Sequence, residues 1–272
     1  MEALIIVIGM ALDREPAGRD ISMVRTHSSP DIDWAETPLH GKPESVFFVL
    51  SGPGGTGKST LVNKWLLEDP SLGYVRNYTT RPARGIDHSS GVDDACFFEF
   101  VTRSEFKQLV IDGFFAQWVN PSEGYYSGTP IAPLVTAIQE RRDLLFDYTP
   151  QLYINLKRRF PEQVVGVFVA PPSMSELRAR LLGRGTDQGQ KFDMKFEMGV
   201  QDLAFVDIHD YHVTNVNTTE TLAVLQAILI AEKNRLRRQP NLIPTYDRLA
   251  PNPMLFYYDP SGSRVAGIDP DE

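Results

Sequence analysis

Cysteine is almost absent: Cys96 is the only one in 272 residues, so no disulfide can form within the chain. That excludes the disulfide-built secreted scaffolds and fits a reducing, cytoplasmic setting. Long apolar runs are missing too, and nothing approaches the ~18 consecutive apolar residues that suggest a membrane span. The apolar stretch at residues 3–8 is short, follows Glu2 rather than a basic residue, and leads to no small-residue cleavage site. It reads as a first strand or a loose terminus rather than a leader. Positive charge is in deficit, with 27 Lys and Arg against 35 Asp and Glu and a net charge of −8. Broad contact with a nucleic acid backbone or an anionic membrane needs a basic surface, so neither is expected as a partner.

What is present is a complete phosphate loop. Gly52, Gly54, Gly55, Thr56, Gly57, Lys58, Ser59 and Thr60 fall in the pattern G-x-x-x-x-G-K-[ST]. The context suits it. Residues 46–50 are apolar throughout, as in a buried parallel strand, and Leu61, Val62, Trp65 and Leu66 follow at helical spacing. A strand, a glycine turn and a helix point backbone N–H groups and the positive end of the helix dipole at a phosphate. Lys58 is expected to reach the β- and γ-phosphates of a nucleoside triphosphate, and the Ser59 hydroxyl to hold Mg²⁺.

Two more apolar runs, 144–146 ending in Asp147 and 164–169, read as further buried strands. Helical patterns lie over 105–112, 131–141, 173–182 and 220–237. Alternating strands and helices predict an α/β fold with a parallel sheet flanked by helices. Residues 1–44, rich in Pro, Ser and charged residues from residue 10 on, are expected to be an extension, disordered in part. Residues 45–237 form the main domain. Residues 238–272 form a tail in which 254–258 and 264–268 flank a turn, the pattern of a β-hairpin. The hairpin's plainest role is a packing appendage.

Beyond the phosphate loop, several further segments occur in a characteristic order. They are Thr79-Thr80-Arg81 followed by Arg84-Gly85, Gly113 to Trp118, Gly124-Tyr125-Tyr126, Pro171-Pro172-Ser173, Leu182 to Thr186, and the Asn215 region. Together they resemble the guanylate kinase family over about residues 45–235. The resemblance implies a phosphate-loop core that binds ATP, a small mixed-strand part at about 76–130 that binds a nucleoside monophosphate, and a helical lid at about 184–200. It implies a phosphotransferase that forms GDP or dGDP from GMP or dGMP, with nucleotides as its small-molecule partners and a monomeric or homodimeric state.

By the same resemblance, Arg81 and Arg84 hold the acceptor phosphate. Arg180, Arg184 and Lys195 neutralise the transferring group, Arg184 and Asn215 also touching ATP. Asn77, Phe98, Gln117, Tyr126, Thr129, Asp147 and Thr149 line the acceptor, and Asp147 joins Ser59 at the metal. Charge chemistry favours this independently, because phosphoryl transfer between two polyanions depends on positioning and on cations. Paired guanidiniums suit a monoester phosphate. The plain alternatives are a solvated basic turn for Arg81 and Arg84, an exposed helix face for Arg180 and Arg184, and a capping carboxylate for Asp147.

Several positions depart from the family pattern. Gln117 stands where the family has a base-reading glutamate, Thr149 where it commonly has a second aspartate, Asn77 for a serine, Phe98 for a tyrosine, and Lys195 for an arginine. Two neutralised acids at one pocket lower the expected preference for guanine. That leaves two other readings: a kinase with a changed acceptor, and a non-catalytic binding module. The intact phosphate loop speaks against the second.

Overall fold

Every residue of the first strand, β1 (Phe47–Ser51), is buried, so both of its faces must be covered. Phe48 and Leu50 face a core shared with Leu61, Val62, Trp65 and Leu225, while Phe47 and Val49 face one shared with Phe146, Leu152, Tyr153 and Leu156. That alternation is what an interior strand of a parallel sheet with helices on both sides requires. The computed structural model describes residues 43–83, 93–120, 124–183 and 190–239. All of them lie within one unit, His40–Leu242. The extension before residue 43, the expected hairpin in the tail, Arg84 and Arg184 lie outside the described residues.

The main sheet is entirely parallel, in the order β2-β7-β1-β8-β9. Its other strands are β2 (Gly73–Tyr74), β7 (Leu144–Tyr148), β8 (Val164–Ala170) and β9 (Tyr211–Thr214). A second, mixed sheet has the order β4-β3-β6-β5, from β3 (Asn77–Thr79), β4 (Phe98–Phe100), β5 (Phe115–Val119) and β6 (Ser127–Pro130). Seven α-helices are described: α1 (Lys58–Glu68), α2 (Arg103–Ile111), α3 (Ala132–Glu140), α4 (Pro150–Arg159), α5 (Met174–Gly183), α6 (Gln190–Asp202) and α7 (Thr218–Lys233). None of the described helices is long and apolar enough to cross a membrane.

The expected α/β architecture is present, with local differences. The helix expected over 220–237 stops at Lys233, after which Arg235, Arg237 and Arg238 turn back onto the buried Glu232. Helix α4 and strand β9 had no counterpart in the sequence reading. Helix α4 opens on Pro150, where a missing N–H costs nothing, and closes on Lys157, Arg158 and Arg159, which suit the negative end of its dipole. Strand β9 is a short edge strand with only Val213 buried.

Candidate active site

The phosphate loop links the C-terminal end of β1 to α1. Brought this way, it lies at the carboxyl edge of the sheet, where open α/β folds place their ligands. Its backbone is one that only glycine accepts. Gly57 has φ +92°, and a Cβ there would lie 2.6 Å from Asn215 Nδ2; Gly52 has φ +128°, and its Cβ would meet the Val169 carbonyl oxygen at 2.7 Å. Gly57 precedes helix α1 as its cap, with no side-chain capping bond, and the first turn holds no acidic residue. Its leading N–H groups are therefore not shielded by a carboxylate, and that leaves a seat for an anion.

Side chains surround that seat. Lys58 Nζ donates to the carbonyls of Gly52 and Pro53, each at 2.8 Å, and lies 4.0 Å from Asp147 Oδ1. The Ser59 hydroxyl donates to Asp147 Oδ2. Thr60 is half-buried in the first turn of α1. Asn215 braces the loop from outside, its Nδ2 donating to the Thr56 carbonyl at 2.7 Å while its own N–H bonds to Ala170 O. Arg180 crosses to the same place, donating through Nε to Glu176 at 2.8 Å and through Nη2 to the Asn215 carbonyl at 3.1 Å. Lys195 is half-buried on α6.

Asp202, at the end of α6, was not foreseen. Burial raises its carboxyl pKa, and the Lys58 ammonium pulls it the other way. A signal was available, since Lys195 and Asp202 are seven residues apart and so share one face of a helix.

On the mixed sheet, Arg81 is gripped end-on by Asp94. Nη1 donates to Oδ2 at 2.6 Å and Nη2 to Oδ1 at 2.7 Å, and Nη1 also reaches the Pro82 carbonyl at 3.0 Å. The guanidinium lies over the rings of Phe98 at 4.4 Å and Phe100 at 5.4 Å. Phe98 thus stacks on Arg81 where a hydroxyl was the family expectation. The two threonines before Arg81 anchor it: Thr79 Oγ1 and the Thr80 N–H both donate to the Tyr126 carbonyl, and Tyr126 N–H donates to Thr80 Oγ1. Asn77, Gln117 and Thr129 are buried together, joined by Tyr148. Burial raises the Tyr148 phenol, against the smaller opposing effect of its hydrogen bonds to Thr129, Gln117 and Asn77. Thr149 is exposed at the start of α4 and makes no capping bond. The structure therefore brings Lys58, Ser59, Asp147, Asn215 and Arg180 together and sets Thr149 at the surface.

A guanylate kinase family model matches residues 45–232. The chain belongs to the guanylate kinase family. It is 35% identical over 205 residues to a guanylate kinase of Sphingopyxis alaskensis, covering 75% of this chain and 90% of that one. A guanylate kinase of Desulfitobacterium hafniense is 34% identical over 195 residues, covering 72% and 94%. Among solved structures, the guanylate kinase of Anaplasma phagocytophilum superposes with a TM-score of 0.64 at 26% identity, over 79% of this chain and all of that one. The matched span contains the phosphate loop, both sheets and the helices up to α7, so membership in the family covers the whole candidate site.

Proposed function

We propose that the protein moves the γ-phosphoryl group of ATP onto the phosphate of GMP or dGMP, giving ADP and GDP or dGDP. The observation that carries this reading is the end of β7. Asp147 meets Ser59 and Lys58 at the phosphate loop, and the next residue, Tyr148, joins the polar cluster of the mixed sheet. One strand thus links a seat for a triphosphate to the sheet that carries Arg81.

In this reading the N–H groups of residues 54–60 and Lys58 hold the ATP phosphates. Ser59 and Asp147 would hold Mg²⁺; a hydroxyl and one carboxylate beside a phosphate seat are the hard oxygen donors this ion takes, with substrate phosphates and water filling the remaining positions. When bound, the ion offsets charge on the β- and γ-phosphates. Arg81 and Arg84 grip the acceptor phosphate and aim one of its oxygens at the γ-phosphorus. As that P–O bond forms, the bond to the β–γ bridging oxygen breaks, and ADP leaves with the electron pair. Arg180, Arg184 and Lys195 balance the charge in transit, the segment at about 184–200 closes to exclude water, and no covalent intermediate is needed. Residues at about 76–130 hold the acceptor. ATP as co-substrate and the single thiol suit work in the cytoplasm.

The test is ADP release with ATP and Mg²⁺ against a panel of nucleoside monophosphates. Turnover with GMP or dGMP that disappears in Lys58→Ala supports the reading. ATP binding without ADP release on any acceptor overturns it.

A further inference from the structure

Four polar side chains are buried where the two sheets meet: Asn77 on β3, Gln117 on β5, Thr129 on β6 and Tyr148 at the end of β7. Hydrogen bonds connect them. Thr129 Oγ1 lies 2.7 Å from Asn77 Oδ1, which can only accept, so Thr129 gives its one hydrogen there. The Tyr148 hydroxyl lies 2.6 Å from Thr129 Oγ1 and 3.3 Å from Asn77 Oδ1, and its one hydrogen serves both. The remaining lone pair of Thr129 takes a hydrogen from Gln117 Nε2 at 3.4 Å. The amide nitrogen faces Thr129 and the oxygen faces away. Gln117 is 7% exposed, and its Oε1 has no hydrogen-bond partner. A buried carbonyl oxygen without a donor is costly, so this oxygen suits a ligand N–H.

The identity of that N–H rests on the reading of the protein as a nucleoside monophosphate kinase whose acceptor base meets this cluster. Guanine presents two donors on one edge, its N1–H and its 2-amino group. Hypoxanthine presents the N1–H alone and carries only a C–H at position 2. One acceptor satisfies hypoxanthine in full, whereas guanine's amine is left facing the amide nitrogen, donor against donor. Adenine offers a lone pair at N1, which would meet the lone pairs of Oε1. We infer that the acceptor site takes hypoxanthine nucleotides, IMP and dIMP, comparably with guanine nucleotides, and that Gln117 sets this breadth by presenting a single acceptor.

The experiment compares kcat/KM of the full chain for IMP, GMP, AMP and 2-aminopurine ribonucleoside monophosphate, then repeats it with Gln117→Glu. IMP is expected within about tenfold of GMP, because the amine of guanine finds no acceptor of its own. AMP and the 2-aminopurine nucleotide lack the N1–H and are expected at least ~100-fold lower, as buried polar groups reject analogues that leave them unpaired. The second carboxylate oxygen of Gln117→Glu should raise the GMP-to-IMP ratio by about tenfold or more, mainly through KM for GMP. A wild-type preference for GMP above ~100-fold, or a ratio that Gln117→Glu leaves unchanged, overturns the inference and leaves the kinase reading intact. ATP binding with no ADP release on any of the four overturns the kinase reading, and this inference with it. Should Gln117→Glu fail to fold, the wild-type comparison of the four nucleotides decides alone.

Discussion

Asp94 holds the outer end of the Arg81 guanidinium with both carboxylate oxygens. Of the five N–H groups of Arg81, Asp94 takes two and the Pro82 carbonyl a third. Among the described residues, that leaves Nε–H and the second hydrogen of Nη2, which share one edge and can bind two oxygens of a phosphate. Phe98 and Phe100 fix the plane of the group from its face. Asp94→Ala is therefore expected to raise KM for the acceptor nucleotide about tenfold while leaving KM for ATP within about twofold, the range of a lost charge-assisted pair. Steady-state kinetics with each substrate varied in turn checks this. A fall in the acceptor KM would show instead that Asp94 competes with the phosphate.

Asp147 shares a hydrogen with Ser59 and stands 4.0 Å from Lys58. Asp147→Asn keeps the shape and one acceptor but removes the charge. The Mg²⁺ concentration giving half-maximal turnover should rise about tenfold or more, since hard cations favour carboxylate oxygen. Titration of activity with Mg²⁺ at fixed ATP measures it, and an unchanged midpoint would remove Asp147 from the metal site.

The phosphate loop tolerates no side chain at residue 57. Gly57→Ala places a Cβ at positive φ and 2.6 Å from Asn215 Nδ2. Backbone strain of ~1–3 kcal/mol should lower stability, and loss of the loop's shape should abolish ATP binding. Pairing it with Asn215→Ala relieves the clash but not the strain, so the double variant should fall short of additive destabilisation in denaturant unfolding.

His209 predicts how stability responds to acid. Its ring stacks on Tyr153 at 4.2 Å, its Nδ1 donates to the Phe205 carbonyl, and its buried Nε2 has no partner. Burial lowers its pKa below the ordinary 6.5, outweighing the opposing pull of that carbonyl and of Asp210. Below 6.5 the unfolded chain binds a proton that the folded chain resists, so stability present at neutral pH is lost as pH falls through the depressed folded value. Urea unfolding at about pH 7.5 and about pH 5 should show a larger acid loss for the wild type than for His209→Gln. Equal losses would place the sensitivity elsewhere.

The sequence made the phosphate loop and β1, β7 and β8 readable because local pattern determines them: fully buried strands are continuous apolar runs, and the glycines mark the turn. Helix α4 was less visible. Leu152, Tyr153 and Leu156 keep helical spacing, but the Pro150 that opens the helix also reads as a break. Asp94 and Tyr148 could not be read as site residues. Asp94 reaches Arg81 across 13 residues and Tyr148 reaches Thr129 across 19, and no short-range pattern encodes either contact. The exposure of Thr149 follows from the turn into α4, which a motif aligned by spacing alone does not show.

Consecutive side chains at the end of β7 point to opposite sides of the strand. Asp147 faces the phosphate loop and Tyr148 the amide cluster, and their Cα atoms are separated by a single trans peptide, about 3.8 Å. The rung between the phosphate loop and the amide cluster is thus a covalent one and cannot lengthen. In the proposed reading, substitutions in the amide cluster would change which base is read while Asp147 keeps its place at the phosphate loop.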